Sequence, residues 1–344
     1  MNKIFVILVI FFIIPVISAK VIVEEYNQEK ACIGTTLFAD LYEKKIMEID
    51  MDGNTVWEYI LPEEVQKHLD PGFDVELLPN KNIMYTAPGY GIFEIDRNGT
   101  IVWEYLSKKV SHDADLLENN NILFGFGYKD TLEDYQAVEI TRNGTIVWQW
   151  SAGDYFNYPP YSTIAREGWT HTNAVSRLEN NDTLISLRNF NTIIEVNTTG
   201  DIVWTYDWSK YGEAQHDPVV LPDNHILIAV HGKVPAQVIE IDKETGELIW
   251  KYGLHNLRRV RDANRLPNGN TIIDGDIDQY SYIIEVTPNG EIVWKLKEEQ
   301  LLPDQYPGWF FKAERICTPQ ESISSDEQCN GFFGKIWCWI KDIF

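Results

Sequence analysis

Basic residues are scarce in this chain. Its 344 residues include 29 Lys and Arg against 52 Asp and Glu, a formal charge of −23. A nucleic-acid binder needs a basic stripe that displaces counterions from phosphates, so nucleic acid is excluded as a partner. Acidity of this size favours solubility, and it requires any anion site to be locally electropositive. Cysteine is scarce as well, limited to Cys32, Cys317, Cys329 and Cys338. A long apolar run occurs in "MNKIFVILVIFFIIPVISAK". It is short for a membrane span, which needs roughly 20 residues. Ending in the small Ala19, it reads as a signal peptide over residues 1–19, with an uncleaved anchor as the alternative. The chain is then secreted or extracytoplasmic, with cell-surface association open, and its cysteines are expected in disulfides. Asn98, Asn143, Asn181 and Asn197 head glycosylation sequons, although "RNGT" is also ordinary hairpin-turn chemistry, the reading preferred here.

What the chain has in quantity is a repeat. "IMEIDMDGNTVWEY", "IFEIDRNGTIVWEY", "AVEITRNGTIVWQW", "IIEVNTTGDIVWTY", "VIEIDKETGELIWKY" and "IIEVTPNGEIVWKL" are one hairpin written six times. Each has an alternating strand, a turn rich in Asn, Asp and Gly, and a second strand carrying Trp. Trp57, Trp103, Trp148, Trp204, Trp250 and Trp294 fall mostly 44 to 46 residues apart. That period, with four strands per unit, predicts an all-β, six-bladed β-propeller over residues 20–316. The tryptophans are expected as core residues between blades. Two further strands precede most hairpins, as in "DADLLENNNILFGF" and "PVVLPDNHILIAV". Before the first hairpin only "TTLFAD" (35–40) is present, whereas "FKAERI" (311–316) has no hairpin of its own. Laying 311–316 beside 35–40 completes the first blade and leaves no open edge there. Cys32 and Cys317 then occupy the turn that the chain break removes, which predicts a Cys32–Cys317 disulfide and leaves Cys329 to pair with Cys338. The tail 317–344, with "GFFGKIWCWIKDIF", is apolar enough to dock on the propeller or on a membrane surface.

In a propeller the first strands of all blades line the channel in one direction, so equivalent residues form rings. One ring holds Phe73, His112, Asn173, His216, Arg261 and Phe311. The next holds Asp74, Asp113, Ala174, Asp217, Asp262 and Lys312, whose recurring Asp reads as a blade-to-blade hydrogen-bonder. His171 lies two residues before Asn173, on the same side by strand alternation. Second strands return to the same mouth and end at Arg188 and, one blade on, His231. A single channel histidine is usually structural; three histidines and an arginine at one level suit an anionic group with several oxygens. Histidine is also a competent nucleophile and acid or base near neutral pH. His68, His225 and His255 occupy outer or loop positions and receive no role. The gap from Trp148 to Trp204 is 56 residues, and its surplus is "SAGDYFNYPPYSTIAREGW" just before His171. Tyr155, Phe156, Tyr158, Tyr161 and Trp169 there either wall a pocket over the mouth or pack as a surface loop.

"SHDADLL", "WTHTNAVSRLENNDTLISLRN" and "EAQHDPVVL" together resemble the arylsulfate sulfotransferases, over roughly residues 32–316. Members of that family move a sulfuryl group from one phenol to another through a transiently sulfated histidine, without a nucleotide donor. The resemblance implies His216 as that nucleophile, with His171, Arg188 and His112 holding and polarising the sulfate. Asn173, His231, Arg261, Tyr158 and Trp169 are the accompanying candidates for substrate contact. It implies an aryl sulfate donor and a phenolic acceptor as partners, and no cofactor or metal. Bacterial enzymes of this type also carry an N-terminal β-rich domain linked to dimer formation; the propeller here starts directly after the leader, so the oligomeric state stays open. Two other readings remain: a metal-dependent hydrolase using His112, His171 and His216 as zinc ligands, and a non-catalytic propeller that binds a partner. Arg188 beside the histidines disfavours the cation.

Overall fold

The computed structural model describes residues 21–69, 72–127, 129–232, 235–303 and 308–318. The predicted signal peptide, the Cys329–Cys338 pairing and the tail beyond Thr318 lie outside the described residues. Six antiparallel sheets form the six blades of a β-propeller. Blades two to five are each continuous in sequence, from Val75–Leu77 in blade two to Leu248–Tyr252 in blade five. Blade one takes its inner strand from the chain's end: Ala313–Cys317 pairs with Gly34–Asp40, placing Thr35 opposite Ile316 and Phe38 opposite Ala313. The predicted closure is therefore present, with Cys32 and Cys317 joined as a disulfide across 285 residues. A second closure was not foreseen. Val21–Tyr26 adds a fifth strand to the outside of blade six, pairing with Ile292–Glu298. It has no counterpart in the repeat, so periodicity could not reveal it.

The hairpin turns behave as their composition dictates. Their glycines at 53, 99, 144, 200, 246 and 290 hold φ between +70° and +97°, a region that costs other residues a clash with Cβ. In every blade the register shifts just after the third-strand glutamate, at Glu48, Glu94, Glu139, Glu195, Glu240 and Glu285. This bulge belongs to a recurrent clasp. Arg177 pairs with Glu139 at 2.8 Å and stands 5.1 Å from the Trp148 ring. Arg97, Arg142, Lys243, Arg265 and Arg315 repeat the arrangement over Trp57, Trp103, Trp204, Trp250 and Trp294. Each cation comes from the following blade. The tryptophans thus lie between blades as expected, five of them partly buried, packed against the core on one side and covered by a cation. Trp294 is fully buried, because the added strand places Tyr26 opposite it.

The aspartate ring is architectural, as its recurrence indicated. Asp74 accepts the Ala114 N–H at 3.4 Å, Asp113 that of Val175 at 2.7 Å, and Asp262 that of Ala313 at 3.2 Å, each from the next blade. Lys312 contacts Asp113 at 2.6 Å, Asp217 at 3.1 Å and Asp74 at 3.3 Å. These groups border a cavity of about 740 Å³ whose walls add Glu76, Asp115 and Glu314. Burial, reinforced by neighbouring carboxylates and opposed by Lys312, raises Asp74 to about 7 and Glu76 to about 8, and pushes Asp115 and Asp262 well up. A carboxyl raised on folding binds its proton more tightly in the native state. Its contribution is complete below its unfolded pKa and is lost as pH rises through the folded value. The melting temperature is therefore expected to fall as pH rises from about 4 to 8, between the unfolded and folded values of these groups, measurable by scanning fluorimetry; a flat profile would contradict the burial of these acids.

Candidate active site

The inner strands are bent where the site residues stand. His171 has φ +49°, and the register of its strand slips between Thr172 and Ala174. Around His216 both Ala214 and Asp217 have positive φ, and the register slips on either side. Bulges of this kind re-aim side chains. They, rather than the simple alternation expected, bring His171 to the cluster. His171 is held further by Asp130, which follows the second strand of blade three. The Asp130 carboxylate accepts the backbone N–H groups of Trp169 at 2.9 Å, Thr170 at 3.1 Å and His171 at 3.1 Å, plus the Thr170 hydroxyl at 2.7 Å.

The four histidines form two pairs. His112 and His171 face each other with Nε2 atoms 2.9 Å apart. His216 and His231 stack with ring centroids 4.5 Å apart. Phe311 lies beside His112 at 5.6 Å and His216 at 6.1 Å, linking the pairs across the ring. Every Nδ1 is directed at a backbone carbonyl: His171 at Glu167 (2.9 Å), His216 at Ala214 (2.9 Å), His231 at Val260 (3.2 Å) and His112 at Gly72 (3.4 Å). A carbonyl oxygen only accepts, so the Nδ1 of a neutral imidazole bonded to it must carry the proton. In His216 that leaves the lone pair on Nε2. Backbone geometry thus selects the tautomer whose Nε2 is nucleophilic.

All four rings are neutral at physiological pH. Burial drives His112 down to about 3, helped by the positive charges of Arg188 and Lys312 and opposed by the Gly72 hydrogen bond. His231 is likewise brought to about 3 by burial, then Arg188 and Arg261. His171 and His216 are lowered well below their ordinary value, again by burial first. Arg188 supplies the charge of the site. Its Nη1 lies 3.4 Å from Glu167, whose side chain is 72% exposed, and its buried Nε has no partner among the described residues.

The other candidates divide. Asn173 is buried in the ring and donates to the Gln215 carbonyl at 2.8 Å, leaving its own Oδ1 without a partner among the described residues. Arg261 reaches the Phe311 ring but is tied to Asp276 at 2.7 Å, so its charge is already matched. Tyr158 and Trp169 pack within the insertion and not against the imidazoles. Tyr158 is exposed and meets Tyr161 edge-on, while Trp169 is buried against Phe190 with its N–H on the Tyr161 carbonyl. These rings gain more by burying one another than by facing an open mouth. The insertion reaches the site through its last turn instead, by the Glu167 carbonyl on His171 and the Glu167 carboxylate on Arg188. Asp130 and Glu167 escaped sequence reasoning, since neither recurs at its position in other blades. The three-histidine zinc set is not assembled. Among the described residues, the group of three potential ligands within 4.8 Å of one another is Asp223, His225 and Glu240, at the outer turn of blade five.

A family model described as Arylsulfotransferase (ASST) matches residues 23–210, more than half of the chain. The chain belongs to the arylsulfotransferase family. The matched stretch contains His112, His171 and Arg188 and ends six residues before His216. A model described as outer membrane protein assembly factor BamB matches residues 133–300. No curated protein matches the chain. Among solved structures, a protein of unknown function from Bacteroides caccae is similar with a TM-score of 0.59 and 15% identity, covering 82% of this chain and 98% of that one. TolB from Acinetobacter baumannii follows at 0.54 and 12% identity, covering 84% and 67%. Virginiamycin B lyase from Staphylococcus aureus gives 0.51 and 14% identity, covering 80% and 88%. At these identities the likeness is one of fold alone.

Proposed function

We propose that the protein is an extracytoplasmic sulfotransferase that moves a sulfuryl group from an aryl sulfate ester to a phenolic acceptor through a sulfohistidine. The observation that carries this reading is a buried His216 whose Nδ1–H is fixed on the Ala214 carbonyl, beside Arg188, in an otherwise acidic protein. Sulfuryl transfer, like phosphoryl transfer, depends on in-line positioning and charge stabilisation. His216 Nε2 attacks sulfur while Arg188 holds the sulfuryl oxygens in a water-poor setting, where its charge acts strongly. His231 fixes the His216 ring by stacking, and Asn173 offers an acceptor to a phenol hydroxyl. His112 and His171 are the acid–base groups assigned to the leaving phenolate. The acceptor then takes the group from His216, which predicts ping-pong kinetics. The Cys32–Cys317 disulfide fits an oxidising compartment.

The test incubates purified protein with a chromogenic aryl sulfate, with and without a phenol. Acceptor-dependent release, with a sulfo group detected on the peptide containing His216, is the expected result. Release to water alone would make the protein a sulfatase. No release, or stoichiometric zinc that is lost on substituting His216, would overturn the reading.

A further inference from the structure

The contact between His112 and His171 has a proton deficit. The hydrogen-bonded line runs from the Gly72 carbonyl through His112 and His171 to the Glu167 carbonyl, with gaps of 3.4, 2.9 and 2.9 Å. Both ends are carbonyl oxygens, which accept and cannot donate. Three gaps therefore call for three protons, whereas two neutral imidazoles bring two. The close approach at Gly72 is built in, because a Cβ there would lie 1.5 Å from His112 Nδ1. The His171 end is fixed by Asp130, through the backbone N–H.

We propose that His112 and His171 act as one acid, an imidazole pair that takes up a single shared proton when the anionic donor binds and delivers it to the departing phenolate. The proposal rests on the sulfuryl-transfer reading above and deepens it. In the free protein burial opposes the third proton, as do the positive charges of Arg188, Arg166 and Lys312 near the pair. Glu167 faces Arg188, Asp130 faces the His171 backbone, and the neutral His216 and the Phe311 ring lie alongside. An anion on Arg188 reverses this balance, and the proton then fills all three gaps. In the first half-reaction the His216 Nε2–S bond forms, the aryl S–O bond breaks, and the phenolate takes the pair's third proton to leave as a phenol. The pair returns to two protons. In the second half the acceptor phenol gives its proton to the pair as its oxygen attacks sulfur and the N–S bond breaks, restoring the His216 lone pair.

The test is calorimetric titration of the intact protein with inorganic sulfate at pH 7.5, in PIPES, HEPES and Tris, whose ionisation heats differ. About one proton should be taken up per sulfate, and sulfate affinity should fall roughly tenfold per pH unit above neutrality. His171→Gln and His112→Gln, each checked by its melting curve, should bind sulfate on Arg188 with no uptake. Wild-type protein that binds sulfate without uptake, or fails to bind it, overturns the proposal, as does uptake that survives both substitutions. Uptake without aryl sulfate turnover would sink the transfer reading and leave the proton-sharing pair standing; turnover without uptake would do the reverse.

Discussion

Substituting His216 by alanine is expected to lower kcat/KM for aryl sulfate on the order of 10⁴-fold or more, since a covalent nucleophile has no substitute in its mechanism. The sulfur-bound intermediate should vanish from the mass spectrum of the same protein. The ring is 6% exposed, stacked on His231 and edge-on to Phe311, so its removal also opens a cavity. A loss of about 1–3 kcal/mol of stability is expected from that cavity. It lowers the melting temperature and leaves the fold formed at room temperature. The two effects separate by chemical rescue. Added imidazole can occupy the vacated space and restore turnover in proportion to its concentration, which a merely damaged fold does not allow. Transfer within tenfold of wild type would remove His216 from the nucleophile's place and shift attention to His231, whose Nδ1 is directed at a carbonyl in the same way.

The ring of inner-strand residues was readable because the repeat supplies its own alignment. Counting back from Leu221 puts His216 level with His112, and Phe311 does bridge the two. What the pattern could not show is local. His171 owes its position to a left-handed backbone and to Asp130, a residue in a connection that has no repeat, which accepts hydrogen bonds from Trp169, Thr170 and His171. The pairing of histidines two by two, and the choice of tautomer, depend on carbonyls of Gly72, Glu167, Ala214 and Val260, and any residue type brings a carbonyl. The aromatic insertion was open to two readings for a related reason. Composition suits Tyr158 and Trp169 to a pocket wall or to mutual packing alike; Trp169 joins Phe156 and Tyr161 around Phe190, and Tyr158 meets Tyr161. The outer strand Val21–Tyr26 was hidden because it answers the one blade whose fourth-strand residue Val293 is buried, where Val56, Val102, Val147 and Val203 of other blades are exposed.

Opening the Cys32–Cys317 bridge is expected to be the most destabilising change away from the active site. It closes a loop of 285 residues, and the chain-entropy relation gives about 5.6 kcal/mol for a loop of that length. Its position adds to this. The strand Ala313–Cys317 is the inner strand of blade one, and the residues leading into it, Phe311 and Lys312, touch His112, His216 and the aspartate ring. Without the bridge, the circle is held there by the pairing with Gly34–Asp40, the Arg315–Glu285 pair and the outer strand Val21–Tyr26. Cys32→Ser should therefore lower the melting temperature by about 10 °C, taking roughly 2–4 °C per kcal/mol for a domain of this size class. Aryl sulfate turnover should be lost over the same temperature range, because fraying of the last strand withdraws Phe311 from between the histidines before the other blades open. Reduction of the wild-type protein should reproduce both shifts. A melting temperature within about 2 °C of wild type would mean that the strand pairs alone close the propeller.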